Sequence, residues 1–250
     1  MPELDFFDVN VSLGRVRIPK FHVVTDASQM KAELAPFGVT GGLVRHTVSS
    51  EGYPSVGNSR LAEELDGVTR FEPVWAVLPH WTGEFPTGEE LEGVLSSAGV
   101  RAAALYPSQH GFPLRGEIIG PLLDVLEARQ MILMLPHAEV PLEAAARIAK
   151  SHPRMPIVVL EVGYTAAREL YAVFAMCTNV HIEISSYMAH RGIEDIVNKF
   201  GAERLLFGSR FPAYNPGSAV AAVTYARISD TDKKAIAAGN VRRLLSEVKK

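Results

Sequence analysis

Eight short apolar runs separated by helical stretches, in a chain of 250 residues, predict an α/β fold: a single (β/α)8 TIM barrel with a closing C-terminal helix. Strands that alternate with helices imply parallel pairing, because parallel neighbours need a crossover. Apolar runs without strict alternation fit a sheet covered on both faces. Eight units of about 25–30 residues fill the size typical of such a barrel. One domain over residues 1–250 accounts for the chain, with no linker or low-complexity tract. An open doubly wound sheet is disfavoured, since no Gly-rich phosphate turn follows the first strand.

Taken in order, the strands read as Leu4–Leu13, Val39–Val44, Phe71–Leu78, Val100–Tyr106, Met131–Leu135, Ile157–Glu161, Val180–Ile184 and Leu205–Phe207. Between them, Leu122, Leu123, Val125, Leu126 and Arg129 give one helical stripe, and Leu142, Ala145, Ala146, Ile148 and Ala149 another. Pro86-Thr-Gly-Glu-Glu and Val140-Pro-Leu-Glu read as helix starts, with Pro and acids at the positive dipole end. Ser229-Asp-Thr-Asp-Lys is a further helix start. Gly239-Asn240 reads as a turn before an amphipathic helix that covers the barrel floor.

Composition narrows the class. The chain is 47% hydrophobic and 21% charged with a net charge of -3, which gives no reason to expect nucleic acid or an anionic membrane surface as a partner. The lone Cys177 excludes a disulfide framework and a cysteine zinc knuckle, and its apolar setting fits a buried, inert thiol. The start of the chain lacks a basic and an apolar leader region, and no apolar run approaches a membrane span. The expectation is a cytoplasmic protein with a small-molecule substrate, whose exposed apolar helix faces are compatible with a homodimer.

In a parallel barrel all strand carboxyl ends meet at one face, where chemistry sits. Strand 1 offers Asp8, Asn10 and Ser12; strand 2 offers Arg45 and His46; strand 3 ends at His80-Trp81. Strand 4 runs into Tyr106 and His110, and strand 5 ends at His137 with Glu139 beyond. Glu161 ends strand 6, Glu183 and Ser185 lie at strand 7, and Ser209-Arg210 follow strand 8. There is no Gly-x-Ser-x-Gly elbow and no phosphate loop ending in Lys-Ser/Thr.

Several stretches resemble the amidohydrolase superfamily, and within it the amidohydrolase 2 family. They are Phe7-Asp8-Val-Asn10-Val-Ser12-Leu-Gly14, Arg154-Met-Pro-Ile-Val-Val-Leu-Glu161-Val-Gly163, Asn179-Val-His-Ile-Glu-Ile-Ser185-Ser, Phe207-Gly-Ser-Arg210-Phe-Pro212 and Gly239-Asn-Val-Arg-Arg-Leu-Leu. The resemblance covers nearly the whole chain. It implies a metal-assisted hydrolase, or in some branches a decarboxylase or lyase, on a TIM barrel. The family places two metal-binding histidines where this chain has Asn10 and Ser12. A His or modified Lys falls at His137, a His at Glu161, and a metal-binding Asp at Arg210. An Arg has a fixed positive charge and no acceptor, so it cannot ligate a cation.

The expectation is therefore a hydrolase of amidohydrolase type acting on a small organic substrate, with little or no dependence on a divalent metal and no cofactor. His137, Glu161 and Arg210 are the catalytic candidates; Asn10, Ser12, Arg45, His80, Tyr106 and His110 are the substrate-binding candidates. Two alternatives stand beside it. One is an inactive barrel that binds a small acidic ligand. The other is a metal-dependent hydrolase or decarboxylase, with Zn2+ or Mn2+ on a rearranged set of His137, Glu161 and His110.

Overall fold

The computed structural model, which describes residues 3–17 and 22–249, pairs eight parallel strands in sequence order. They are β1 (Phe6–Leu13), β2 (Val39–His46), β3 (Phe71–Ala76), β4 (Ala102–Ala104), β5 (Ile132–Pro136), β6 (Ile157–Leu160), β7 (Val180–Glu183) and β8 (Leu205–Leu206). Helices fill the crossovers between strands, as parallel pairing demands. The last strand returns to the first. Val9 N–H donates to the Phe207 carbonyl at 3.0 Å, Ser12 N–H donates to the Phe211 carbonyl at 2.9 Å, and Val11 bridges to Phe211 in parallel. The first two residues of the chain start, on which the leader reading partly rests, lie outside the described residues.

Two apolar layers follow from the strand periodicity. Residues such as Val11, Leu13, Leu133, Val159 and Ile182 pack outward against the helices. Phe7, Val9, Leu43, Ile132, Met134, Val158 and Leu160 form a second, separate core. Burying each large side chain of that core contributes about 1.5–3 kcal/mol. The same core takes Val241, Leu244 and Leu245 from the terminal helix Asn240–Glu247, so this helix plugs the amino-end floor of the barrel. Arg101, just ahead of β4, donates from Nη1 to the Leu245 carbonyl at 3.1 Å and fixes the plug.

Most expected helix starts are present. Helix Gly88–Ser97 follows Thr87, helix Leu142–Ser151 follows Pro141, and Ser229 caps helix Asp230–Lys234 by accepting from Asp232 N–H at 3.0 Å. The expected turn at Gly239-Asn240 is instead helical. A π turn over Ala235–Gly239 runs directly into the terminal helix. Asn240 is buried there, and its amide donates to the Ala202 and Leu205 carbonyls at 2.8 and 2.9 Å. These bonds give the Asn a task inside a helix that its turn preference conceals.

Five strands, β3, β4, β6, β7 and β8, stop earlier than their apolar runs, and for two of them the side chain responsible is identifiable. β3 ends at Ala76 rather than Leu78, because the Asn58 side chain pairs with both the N–H and the carbonyl of Ala76. β6 ends at Leu160 rather than Glu161, because Glu161 adopts φ 63 and sends its N–H to a side chain instead of a neighbouring strand. Cys177 is buried, with Sγ 3.8 Å from the Ala146 carbonyl. Among the described residues no helix is long and apolar enough to cross a membrane.

Candidate active site

A cavity of about 320 Å³ opens among the strand carboxyl ends and takes residues from β1, β2, the Tyr106 segment, β5, β6 and β8. Asn10, Ser12, Arg45, Tyr106, Glu161 and Arg210, all expected from the sequence, line it. β1 and β2 run in register with Ser12 beside Arg45, so the two strands deliver their polar residues at the same height.

Arg45 is the central cation. Nη2 donates to Asn10 Oδ1, and Nη1 donates to the Tyr106 hydroxyl at 3.3 Å. Its Nε is buried and has no hydrogen-bond partner among the described residues. Among the described residues it forms no ion pair with a carboxylate. Burial works against its charge, but Tyr106, Glu161 and Glu183 around it outweigh that and raise its pKa. Its direct hydrogen bonds therefore go to neutral oxygens, while the nearby carboxylates act on it at longer range.

Arg210 is the second cation, and it is paired. Nη2 lies 2.8 Å from Glu161 Oε2, and the guanidinium sits over the Tyr214 ring at 5.0 Å. Both partners of the pair take φ 63, a left-handed backbone that side-chain-bearing residues adopt at a cost of about 1–3 kcal/mol. Surrounding bonds hold them there. Glu161 N–H donates to Glu183 Oε1 at 2.7 Å. Next to Arg210, Ser209 donates from its N–H to Asp8 Oδ1 at 3.0 Å and from its hydroxyl to Asp8 Oδ2. Asp8 Oδ1 also accepts from Asn10 N–H at 2.9 Å. Burial raises the Asp8 carboxyl to about 6, with these donors pulling the other way.

Glu183 is an acid within the apolar strand β7. It points inward, is fully buried, and accepts from the Asn10 amide at 3.1 Å. Room for it comes from Gly208, where a Cβ would stand 2.6 Å from Glu183 Oε2. That close approach explains the glycine of the Phe207-Gly-Ser segment.

The histidines distribute differently from expectation. His137 lies between two lining residues, Pro136 and Ala138, but is not itself among the groups lining the cavity. His80 stacks on Trp81 with ring centroids 4.4 Å apart, outside the cavity lining. His110 packs edge-on against Tyr106 at 5.6 Å, with both ring nitrogens buried and without a well-aligned hydrogen bond among the described residues, and burial pushes its pKa down against the Ser49 and Ser50 backbone. Glu139 caps the short helix Pro107–His110 by accepting from Ser108 and Gln109 N–H at 2.8 and 3.2 Å. His46, read at the end of strand 2 but not among the substrate-binding candidates, does line the cavity; its Nδ1 accepts from Val48 N–H at 3.1 Å.

The donor set does not fit a divalent cation. Among the described residues no three His, Cys, Asp or Glu side chains converge to share one, so His137, Glu161 and His110 are not brought together as a metal set. Glu161 is committed to Arg210, and two guanidiniums at the cavity would repel a cation.

The comparisons with known proteins agree with this architecture. A family model described as Amidohydrolase matches residues 29–246. The chain belongs to the amidohydrolase family. No curated protein matches its sequence. Among solved structures, this amidohydrolase-family chain resembles a 2,6-dihydroxybenzoate decarboxylase from Rhizobium at TM-score 0.77 and 16% identity, covering 98% of this chain and 99% of that one. It resembles a dihydroxybenzoic acid decarboxylase from Polaromonas sp. JS666, with bound manganese and 2-nitroresorcinol, at TM-score 0.76 and 14% identity, covering 98% and 97%. It also resembles a probable 2-pyrone-4,6-dicarboxylic acid hydrolase from Acinetobacter baumannii, with citric acid bound, at TM-score 0.70 and 13% identity, covering 97% and 100%. At these identities the likeness is one of fold. Hydrolases and decarboxylases both stand among these neighbours.

Proposed function

We propose that this amidohydrolase-family barrel hydrolyses a small organic carboxylate at the mouth of the strands, with guanidinium groups where the family pattern places a cation. The observation that carries the reading is Arg45, a half-buried guanidinium on the cavity without a carboxylate partner among the described residues. A carboxylate of the substrate supplies that partner through charge-assisted bonds. The names of the fold neighbours, which act on benzoates and a pyrone dicarboxylic acid, support a carboxylate-bearing substrate.

Each lining residue then has a task. Arg45 anchors the carboxylate and sets the orientation of the substrate. Arg210 faces the scissile carbonyl and stabilises the oxyanion that develops when water attacks. Glu161 accepts the proton of that water once Arg210 engages the substrate oxygen, and returns it to the leaving oxygen or nitrogen. Asn10 and Tyr106 brace Arg45. His137, which flanks the cavity without lining it, is left out of the mechanism.

A binding-only barrel is the second reading, favoured by the Glu161–Arg210 pair at 2.8 Å, which occupies both proposed reacting groups. One experiment separates the readings. Purified protein, treated with a chelator, is incubated with small carboxylate esters, lactones and amides, with product and CO2 release followed, beside calorimetric titration of benzoate and citrate. Chelator-resistant hydrolysis that disappears in Glu161→Gln supports the proposal. Turnover only after Zn2+ or Mn2+ loading removes its metal-free half. CO2 release without hydrolysis makes the reaction a decarboxylation. Binding without any turnover establishes the second reading.

A further inference from the structure

Glu183 contributes nothing to the cavity surface, yet it touches both sides of the site. Its Oε1 accepts from Asn10 Nδ2 at 3.1 Å, from Glu161 N–H at 2.7 Å and from the Ser185 hydroxyl at 2.8 Å; its Oε2 accepts from Ser185 N–H at 2.6 Å. Three of the four partners are N–H groups, so both carboxyl oxygens of Glu183 accept, although burial pushes its pKa up.

We infer that Glu183 is a positioning residue that aims Arg45 through Asn10 and pins the backbone of Glu161, so that one buried carboxylate sets both the anion anchor and the proton acceptor. The inference rests on the reading of Arg45 as a carboxylate anchor.

The argument turns on Asn10. Its amide stands between a carboxylate and a guanidinium, with nitrogen toward Glu183 and oxygen toward Arg45. A reversed amide would set oxygen against the carboxylate and nitrogen against the guanidinium, two repulsive contacts in a buried place. Glu183 therefore selects one amide orientation, and that orientation gives Arg45 an acceptor at Nη2. Tyr106 holds Nη1 from the other side. Nε is buried, so among the described residues the second N–H of each terminal nitrogen is what remains for a ligand. At Glu161 the same carboxylate works on the main chain, holding a left-handed residue whose side chain meets Arg210. A Glu that only filled space would need neither contact.

The test is a double-mutant cycle on affinity for benzoate and citrate, measured by calorimetry on the full chain, with folding checked by circular dichroism and melting temperature. Arg45→Met and Glu183→Gln are each expected to weaken binding about tenfold or more. Combined, they are expected to weaken it by no more than about threefold beyond the stronger single variant, because a misaimed Arg45 has little left to lose. Asn10→Ala, which leaves the other three donors of Glu183 in place, is expected to show the same non-additivity with Arg45→Met. It decides the matter if Glu183→Gln does not fold. Losses that multiply in both cycles, or normal affinity in Glu183→Gln and Asn10→Ala beside a weak Arg45→Met, overturn the positioning role alone. Unchanged affinity in Arg45→Met, or no binding by the parent chain, overturns the anchor reading beneath it.

Discussion

Arg45 and Asp8 define the two kinds of polar residue in this barrel, one facing the cavity and one serving the frame. Arg45→Met keeps much of the stem's bulk and removes the donors, so the expected outcome is a loss of carboxylate affinity without a comparable loss of melting temperature. Asp8→Asn is expected to do the reverse. The carboxylate accepts from Asn10 N–H, Ser209 N–H and the Ser209 hydroxyl, and an amide has only one oxygen for them. A loss of about 1–3 kcal/mol in urea denaturation is expected. Strand-end reasoning reached Arg45, Glu161 and Arg210 because a strand end in a parallel barrel has one destination. His80 and His137, read the same way, do not line the cavity, because the direction of a single side chain depends on register and a shift of one residue points it elsewhere. The part played by Glu183 was illegible, since its donors come from β1, β6 and its own loop, far apart in sequence.

At the scale of elements, the carboxyl-end loops and the floor helix have separable tasks. Leu244, on the helix Asn240–Glu247, is buried in the inner core. Leu244→Ala is expected to cost about 2–5 kcal/mol while leaving ligand affinity unchanged. A parallel shift of both would show that floor and mouth are coupled. The left-handed residues at the ends of β6 and β8 give a second element-scale test. Glu161→Ala and Glu161→Gly delete the same side-chain interactions but differ in backbone freedom, so Gly is expected to be the more stable variant by about 1 kcal/mol, read in equilibrium denaturation. Element order and topology were legible because the period of apolar runs follows from pairing and burial. The early ends of β3 and β6 were not, because side chains from elsewhere, Asn58 and Glu183, take the backbone groups that would continue the ladder. The helical Gly239-Asn240 was hidden for the same reason, the Asn side chain being consumed by carbonyls of Ala202 and Leu205.

Across the whole molecule, two buried groups titrate against each other. Burial raises Asp8 from an ordinary value of 3.8 to about 6, so its contribution is present below 3.8 and is lost as pH rises through about 6. Burial lowers His181 from 6.5 to about 4, despite its bond to the Glu203 carbonyl, so its contribution is present above 6.5 and is lost as pH falls through about 4. The two slopes oppose each other in the same window. Denaturation midpoints followed from pH 4 to 6.5 in the two single variants are expected to separate them: stability of Asp8→Asn rises more steeply with pH than that of the parent, and His181→Gln tilts the opposite way. Parallel curves for all three proteins would contradict the assignment.

The stitching of β1 to the end of β8 has a consequence for how the protein comes into being. Asp8 waits for Ser209, 201 residues later, and Val11 waits for Phe211. During synthesis the amino-terminal strand therefore leaves the ribosome long before its last neighbour exists. The cavity is incomplete in the meantime, because Arg210, which lines it, has not yet been made. Under the proposed reading, protection by a carboxylate is expected only once the segment after β8 has emerged and met β1.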